Sequence, residues 1–355
     1  MKNLLKLLSP FAPDQSGASA VLYELGGLMV ICDAGGCAGN VCGFDEPRWF
    51  TKKSAVFSAG LRDMDAILGR DDRLIKKLSK ACEQIRPAFT AIIGTPVPAV
   101  IATDMRALKR MAEKKTGLPC ITAECTGTNY YDSGSEPVWI ELFKTFATES
   151  KPVQKGRLGI IGATPLELSI ISPERIVAEY KARGWENVIC YGMGSTLDDV
   201  KNAAAAEMNI VCSAAAIKAA EYLKEKFGTP YEIEYPQSCL PEEIVQKADN
   251  FADKNVLVIH NQTAADAVRK LITEKSGKCH CTSATFFMQK KELSQQSDFF
   301  LADESDLCDN VGDNYDVVIA DKALRRVMKN FSGEFIDFPH FGLSGRLLQG
   351  ESEKI

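Results

Sequence analysis

The sequence has 355 residues, 45% of them hydrophobic and 25% charged, with a formal net charge of −5. That length suits two or three domains rather than one, and the composition is that of a soluble globular chain. Lys and Arg are scattered rather than gathered into the basic stripe of a nucleic-acid binder, and no apolar run approaches the roughly 20 residues that cross a bilayer.

The N-terminal leucines Leu4, Leu5, Leu7 and Leu8 are interrupted by Lys6 and followed at once by Ser9-Pro10. A secretory core needs about 7–15 apolar residues, so these leucines are expected to form the buried face of a short helix in a cytoplasmic protein. Downstream, Leu28-Met29-Val30-Ile31 and Ala91-Ile92-Ile93 are short β-branched runs of the kind that form buried parallel strands. Between them Leu74, Ile75, Leu78 and Cys82 recur on one face of a helix over 71–84. A second helix is expected over 104–115, closed by Gly117-Leu118-Pro119 before a strand at Cys120-Ile121-Thr122.

A polar, turn-rich break at 150–156 precedes the strand 157–162. Helix 173–183 is expected next, with Ser172 as N-cap and Pro173 at the first helical position. Strand 187–191, helix 197–206, strand 209–211 and helix 214–227 follow, the last stopped by Gly228. After residue 250 come strand 255–260, helix 262–274, strand 316–320, helix 321–330 and a closing strand 335–338. This βα alternation predicts an α/β protein of three Rossmann-like, doubly wound domains with parallel sheets. The expected boundaries are 1–155, 156–250 and 251–355.

Twelve cysteines stand beside only His260, His280 and His340. In a reducing cytosol such thiols are buried, redox-active or metal-binding, and a thiol-rich, imidazole-poor set favours iron–sulfur or zinc. Doubly wound domains bind ligands beyond the carboxyl ends of their strands, and several cysteines fall there. Strand 28–31 runs into a turn that holds Cys32, Cys37 and Cys42 among Gly35, Gly36 and Gly39. Glycines let backbone N–H groups approach a ligand closely. Cys37, inside the glycine-rich turn, reads as a ligand, and Cys32 as strand core. Cys125, in the loop after strand 120–122, reads equally as ligand or as packing. Cys212, between a strand and a helix, sits where a ligand in a cleft between domains is met, with core packing as the equal alternative. Cys279-His280-Cys281 reads as an exposed strand, while Cys82, Cys120, Cys190, Cys239 and Cys308 read as structural. The glycine turns at 159–163 and 192–196 are not dinucleotide fingerprints, and no phosphate-binding P-loop occurs in the chain. Any ATP hydrolysis therefore belongs to a partner.

Gly194-Ser195-Thr196-Leu197 ahead of a helix, a strand, and a helix closing on Lys226-Phe227-Gly228 and Pro230-Tyr231 resemble the middle domain of nitrogenase component 1-like proteins. That family includes nitrogenase subunits, a cofactor-assembly scaffold and tetrapyrrole reductases. Residues 317–346 resemble its closing strand–helix–strand, residues 58–74 the start of one of its helices, and the Cys37 turn its first-domain cluster loop. The resemblance implies an electron-accepting reductase subunit. Its iron–sulfur cluster would be held by Cys37, with Cys42 and Cys125 standing in for family ligands expected near Ala12 and Thr95, where this chain has none. It implies a homodimer or a heterodimer with a related subunit, and a separate P-loop iron–sulfur ATPase as reductase. A small molecule or tetrapyrrole would be reduced in the cleft between domains near Cys212, which matches a cofactor-holding cysteine of the nitrogenase catalytic subunit. The histidine opposite that cysteine would fall near Leu347-Leu348, so His340 is the candidate substitute. The alternatives are a cluster-assembly scaffold or carrier without turnover, and a metal-free relic that binds a small ligand.

Overall fold

A computed structural model describes residues 5–344 other than Lys278 and Asp313. Leu4 and the Leu347-Leu348 position lie outside the described residues.

Three parallel sheets follow one another along the chain. The first contains β1 (Leu28–Ile31), β2 (Ala55–Ser58), β3 (Thr90–Ile93) and β4 (Cys120–Ala123), in the order β2-β1-β3-β4. The second contains β5 (Gln154–Ile161), β6 (Asn187–Cys190), β7 (Ala206–Val211) and β8 (Tyr231–Ile233), in the order β6-β5-β7-β8. The third contains β9 (Asn255–Ile259), β10 (His280–Thr285), β11 (Phe299–Phe300), β12 (Val317–Ala320) and β13 (Glu334–Asp337), in the order β11-β10-β9-β12-β13. β1, β3 and β12 are buried along their whole length. A strand covered on both faces needs an unbroken apolar run, which is the signal the sequence carries.

Strand order reverses between β1 and β3, between β5 and β7, and between β9 and β12. At each of these switch points the connections leave toward opposite faces and open a crevice beyond the strand ends. The residues there are Cys32 and Thr95 in the first sheet, Gly162 and Cys212 in the second, and His260 and Asp321 in the third. The expected parallel-sheet α/β fold is therefore the one adopted.

Several local expectations are corrected. The N-terminal leucines form no helix among the described residues: Leu8 is buried, but Leu7 faces solvent. Ser172 is not a cap, because the helix Glu174–Ala182 begins one residue later, with Pro173 in the cap position. The helix expected over 197–206 stops at Lys201. A capping box between Thr196 and Asp199 starts it, but Ala203–Ala205 tighten into a 3₁₀ turn and Ala206 already belongs to β7. The stretch 321–330 holds only the 3₁₀ turn Lys322–Arg326. Cys281 lies in β10, inside the third sheet, so only the start of that strand at His280 is exposed.

Two helices absent from the sequence expectation organise the core. Helix Asp14–Leu22 packs on helix Tyr131–Phe146, whose Val138, Trp139, Leu142 and Phe143 are buried in the same core as Tyr191, Val200 and Leu223 from the second sheet's block. The longer helix therefore ties the first two sheets together. Its N-terminal Tyr131 reaches the third, packing in one core with Ile259 and Val318.

Candidate functional site

Beyond the end of β1 the Cys32 amide extends the ladder by donating to Ile93 O (2.8 Å). The chain then turns at Asp33, whose carboxylate accepts from the Ala38 amide and from the Ser58 hydroxyl. Gly35 takes φ +128°, a backbone open to glycine but not to other residues, so the turn requires it. One helical turn, Gly36–Asn40, carries Cys37 and passes directly into a wider π-type turn, Val41–Asp45, which carries Cys42. Such wide turns recur at functional sites. The Asp45 carboxylate fastens the second turn to helix Asp14–Leu22 by accepting from Ser16 Oγ (2.6 Å), and it also accepts from Asn40 Nδ2 (2.7 Å). Burial raises Asp45 to about 6.

Cys37 and Cys42 are both half-buried. Burial pushes both thiols up, Cys42 to about 11 with the Glu46 carboxylate adding to the effect. For Cys37 the Asp33 charge works in the same direction, against a hydrogen bond with the Thr95 hydroxyl. Thr95, one of the positions where a family ligand was expected, therefore stands beside Cys37. The other, Ala12, is buried in the main chain's own contacts: its amide donates to Gly342 O and its carbonyl accepts from the Tyr131 amide. Two residues on, the Asp14 carboxylate accepts from the Thr126 and Gly127 amides (both 2.8 Å) and so holds the loop that begins at Cys125. Cys125 is buried, in the core against which Cys37 packs. Burial, with Asp14 beside it, raises its thiol far above the ordinary range. Among the described residues no three His, Cys, Asp or Glu side chains are placed to hold a metal ion within this one chain.

Phe44 (63% exposed), Trp49, Phe50 and Phe57 all face solvent from the Cys42 turn, the turn after it and the edge strand β2.

Cys212 lies apart from this group, at the switch point of the second sheet. It is fully buried, and its Sγ donates to Ile161 O (3.3 Å). Burial, the Glu167 carboxyl, and then Cys190 and Cys239 hold its thiol far above the ordinary range. Cys190 and Cys239, expected to be structural, are thus its neighbours. The switch point of the third sheet faces it: Thr263 Oγ1 donates to Cys212 O (2.7 Å), and Asn261 Nδ2 donates to Glu167 O (3.0 Å). Into this junction helix Tyr131–Phe146 delivers the Tyr131 hydroxyl, which donates to Glu167 Oε2 (2.9 Å) and lies 3.0 Å from His340 Nε2. His340 stacks on His260 with centroids 4.2 Å apart, and His260 stacks on Phe338 at 4.0 Å. The His260 tautomer follows from its partners: Nδ1 accepts from the Asn261 amide, so Nε2 carries the proton and donates to Pro339 O (3.1 Å).

Burial favours the neutral forms of His260, His340 and Glu167. Burial lowers His260 to about 4 and His340 further, with His260 adding to the effect on His340. Burial raises Glu167 to about 8. The resemblance pairs Cys212 with His340, and both do approach Glu167, the histidine through the Tyr131 hydroxyl. Tyr131, Glu167 and Asn261 were not expected from the sequence. Asn261, directly after His260 at a strand end, carried the one local signal that could have found them.

Glu167 makes a prediction with a definite sign. An unfolded chain releases this proton near 4.5, whereas the folded protein keeps it to about 8. Folded stability therefore falls as pH rises between those values, by about 1.4 kcal/mol per pH unit for one group. Glu167→Gln is expected to flatten the dependence of Tm on pH from 4.5 to 8, with its greatest advantage over wild type at pH 8. Parallel wild-type and variant curves across that range would show that Glu167 titrates normally.

Three comparisons bear on this geometry. A family model described as nitrogenase component 1 type oxidoreductase matches residues 14–237. Among curated proteins, the nitrogenase iron-molybdenum cofactor biosynthesis protein NifE of Clostridium pasteurianum is 25% identical over 178 residues, 49% of this chain and 38% of that protein. NifE of Klebsiella pneumoniae is 25% identical over 220 residues, 55% and 46% of the two chains. The nitrogenase molybdenum-iron protein alpha chain of C. pasteurianum is 23% identical over 183 residues, 50% and 33%. The chain thus matches less than half the length of each of these relatives. A solved structure of nitrogenase Cp1 at pH 6.5 superposes with a TM-score of 0.69 at 13% identity, covering 95% of this chain and 87% of that one, and so shares the fold. The sheets, the glycine-rich cysteine turn and a family match over more than half of the sequence agree, and the chain belongs to the nitrogenase component 1 type oxidoreductase family.

Proposed function

We propose that this chain is a nitrogenase-like electron-accepting subunit whose Cys37 and Cys42, with Cys125 behind them, hold an iron–sulfur cluster at an interface between two subunits. The observation that carries the reading is the pair of half-exposed thiols on consecutive helical turns, with Phe44, Trp49, Phe50 and Phe57 exposed on the same turn, the next one and the edge strand β2. Soft thiolates fit iron–sulfur clusters. Among the described residues one chain alone does not assemble three ligands, whereas two chains meeting about a two-fold axis would bring four half-buried thiols together, and the exposed aromatic residues are what such a contact would bury. A cluster bound there would accept and pass on single electrons. Asp33 and Asp45 fix the two turns, and the thiols must lose their protons on loading, which their burial makes pH-dependent.

A homodimer and a pair with a related subunit both satisfy this arrangement. Electrons would come from a separate P-loop iron–sulfur ATPase, since the chain has no nucleotide motif of its own. A small molecule or tetrapyrrole would be reduced at the junction by Cys212, within three domains at 1–155, 156–250 and 251–355, each resting on one sheet. The closed packing around Glu167 means that this junction must open to admit it. A second reading, a cluster-assembly scaffold or carrier without turnover, is favoured by the likeness to the NifE relatives, which are cofactor biosynthesis proteins.

Iron and acid-labile sulfide per chain, measured on protein purified without oxygen, test the site. Wild type is expected to hold iron, and Cys37→Ala and Cys42→Ala to lose most of it while eluting at an unchanged size. Iron content unaffected by both substitutions would sink the assignment. For iron-loaded protein, ATP-dependent reduction by a P-loop iron–sulfur partner supports the reductase reading, and stoichiometric transfer of iron to an acceptor supports the scaffold.

A further inference from the structure

The second sheet carries a polar cluster inside its apolar core, on the face that packs against helix Tyr131–Phe146. Arg157 and Gly159 are two residues apart on β5 and so share one face. Asn209 of β7 stands opposite Gly159 in the ladder. Tyr191 follows β6, its amide donating to Ile160 O (2.9 Å), and its ring meets that of Phe143 edge-on at 5.2 Å. Gly159 lets these side chains converge: a Cβ there would lie 2.2 Å from Asn209 Oδ1 and 2.7 Å from Tyr191 Cε2. Asn209 and Tyr191 are fully buried, and Arg157 is nearly so. Burial raises the Tyr191 phenol to about 12, and Arg157 is close enough to oppose that rise.

The polar atoms of this cluster are not matched to one another. Arg157 Nη1 donates to Gln154 Oε1 (3.2 Å), but Asp199 Oδ1 stands 4.0 Å from Nη2, beyond hydrogen-bond reach. The other Asp199 oxygen is held by the Thr196 amide and hydroxyl in the cap of helix Leu197–Lys201. Among the described residues, Arg157 Nε and Nη2, Asn209 Nδ2 and Oδ1 and the Tyr191 hydroxyl have no partner in hydrogen-bond geometry. Native cores leave such atoms few and scattered, and several in one place call for a bound ion or an ordered water. Here every one but Oδ1 can donate, beside a full positive charge. A water must place two hydrogens of its own, whereas an anion accepts from all of these donors and offsets the buried guanidinium.

We propose that Arg157, Asn209 and Tyr191 bind a small monovalent anion of chloride size within the second sheet's core. The closed surroundings suit a single-atom ion rather than a carboxylate or a phosphate. Such an ion would fasten β5, β6 and β7 together from within. The inference is independent of the cluster at Cys37 and stands or falls separately.

Thermal unfolding of the full chain tests it, with sodium chloride exchanged for sodium gluconate at constant ionic strength. Wild type is expected to unfold about 2 °C higher in about 0.2 M chloride than in gluconate, as for a weak ligand that binds only the folded state. Asn209→Asp places a carboxylate beside Arg157, and is expected to remove the difference between the two salts while keeping at least the wild-type Tm in gluconate. Wild-type crystals soaked in sodium bromide are expected to show an anomalous scattering peak among the three side chains. Equal wild-type Tm in the two salts overturns the proposal, and so does a water where the bromide is expected. An Asn209→Asp variant that keeps the full chloride dependence overturns it as well. The salt exchange and the bromide soak are made on wild type, so they decide the matter even if the variant fails to fold.

Discussion

Arg48→Ala is expected to lower the free energy of unfolding by about 3–5 kcal/mol, the range for removing one partner of a buried ion pair. The Arg48 side chain is completely buried. Its guanidinium donates to both Glu46 oxygens (2.7 Å each), to Glu24 Oε1 (2.9 Å), to Ala20 O (2.8 Å) and to Gly192 O (2.7 Å), and it lies over the Tyr23 ring. These partners belong to helix Asp14–Leu22, the residues just after it, the turn beyond Cys42 and the loop after β6. One side chain therefore joins the first sheet's block to the second's. Without it Glu46 is left buried with no cation, while Glu24 keeps Lys52 (2.7 Å). The loss should thus fall mainly on Glu46, and a second substitution, Glu46→Leu, is expected to recover a large part of it, because an apolar pair in place of a buried ion pair is often tolerated. Urea denaturation of wild type, single and double variants checks both statements. An Arg48→Ala loss within about 1 kcal/mol, the value of an exposed pair, would show that the network is hydrated in solution. The Glu46 amide also donates to Val41 O, across the Cys42 turn, so the single variant is expected to retain less iron than wild type as well.

The strands and the amphipathic helices were legible because their burial is one-sided or complete in a regular way. Buried parallel strands read as unbroken apolar runs, and helix Asp71–Ile85 shows its Leu74, Ile75 and Leu78 stripe plainly. Helices Asp14–Leu22 and Tyr131–Phe146 were not legible for the opposite reason. The first is buried on every side and built of small residues, and the second carries Gly134 and Pro137 in its interior. Neither offers the contrast between an apolar and a polar face that a periodicity reading needs. The site divides in the same way. Cys37 stood out as a candidate because a glycine-rich turn after a strand is a local pattern, and Cys42 entered only as the replacement the resemblance implies. The junction of Tyr131, Glu167, Cys212, His260 and His340 was not, because its members come from separate elements and meet only when the switch points of the second and third sheets face each other and helix Tyr131–Phe146 reaches them. The resemblance supplied Cys212 and His340. It could not supply Glu167 or Tyr131, which connect them.

A second structural effect is expected where those two helices touch. A Cβ on Gly17 would lie 1.8 Å from Tyr131 O, and a Cβ on Gly134 would lie 1.9 Å from Asp14 O. The two glycines let the helices close backbone to backbone, and a carbonyl in a hydrogen-bonded helix cannot swing aside as a side chain would. In isolation Gly→Ala in a helix gains about 1 kcal/mol from propensity. Here the methyl group must push the helices apart, and overpacking of this kind costs about 1–3 kcal/mol, more where the neighbour is rigid. Gly17→Ala and Gly134→Ala are each expected to destabilise by about 2 kcal/mol net, the upper end of that cost less the propensity gain, and Gly17→Leu to prevent folding. Gly39 provides the contrast: it is helical, and a Cβ there meets nothing within 4 Å, so Gly39→Ala should be neutral or slightly stabilising. Thermal unfolding of the three alanine variants separates the two cases, and equal Tm values would mean that the helices sit further apart than 1.8 Å implies. Separation also has a functional reading. Asp14 at the start of one helix holds the loop after Cys125, and Tyr131 at the start of the other holds Glu167. The same contact thus sets the spacing between the cysteine loops and the buried junction, and a variant stable enough to purify is expected to lose iron and to shift the pH dependence of its Tm together.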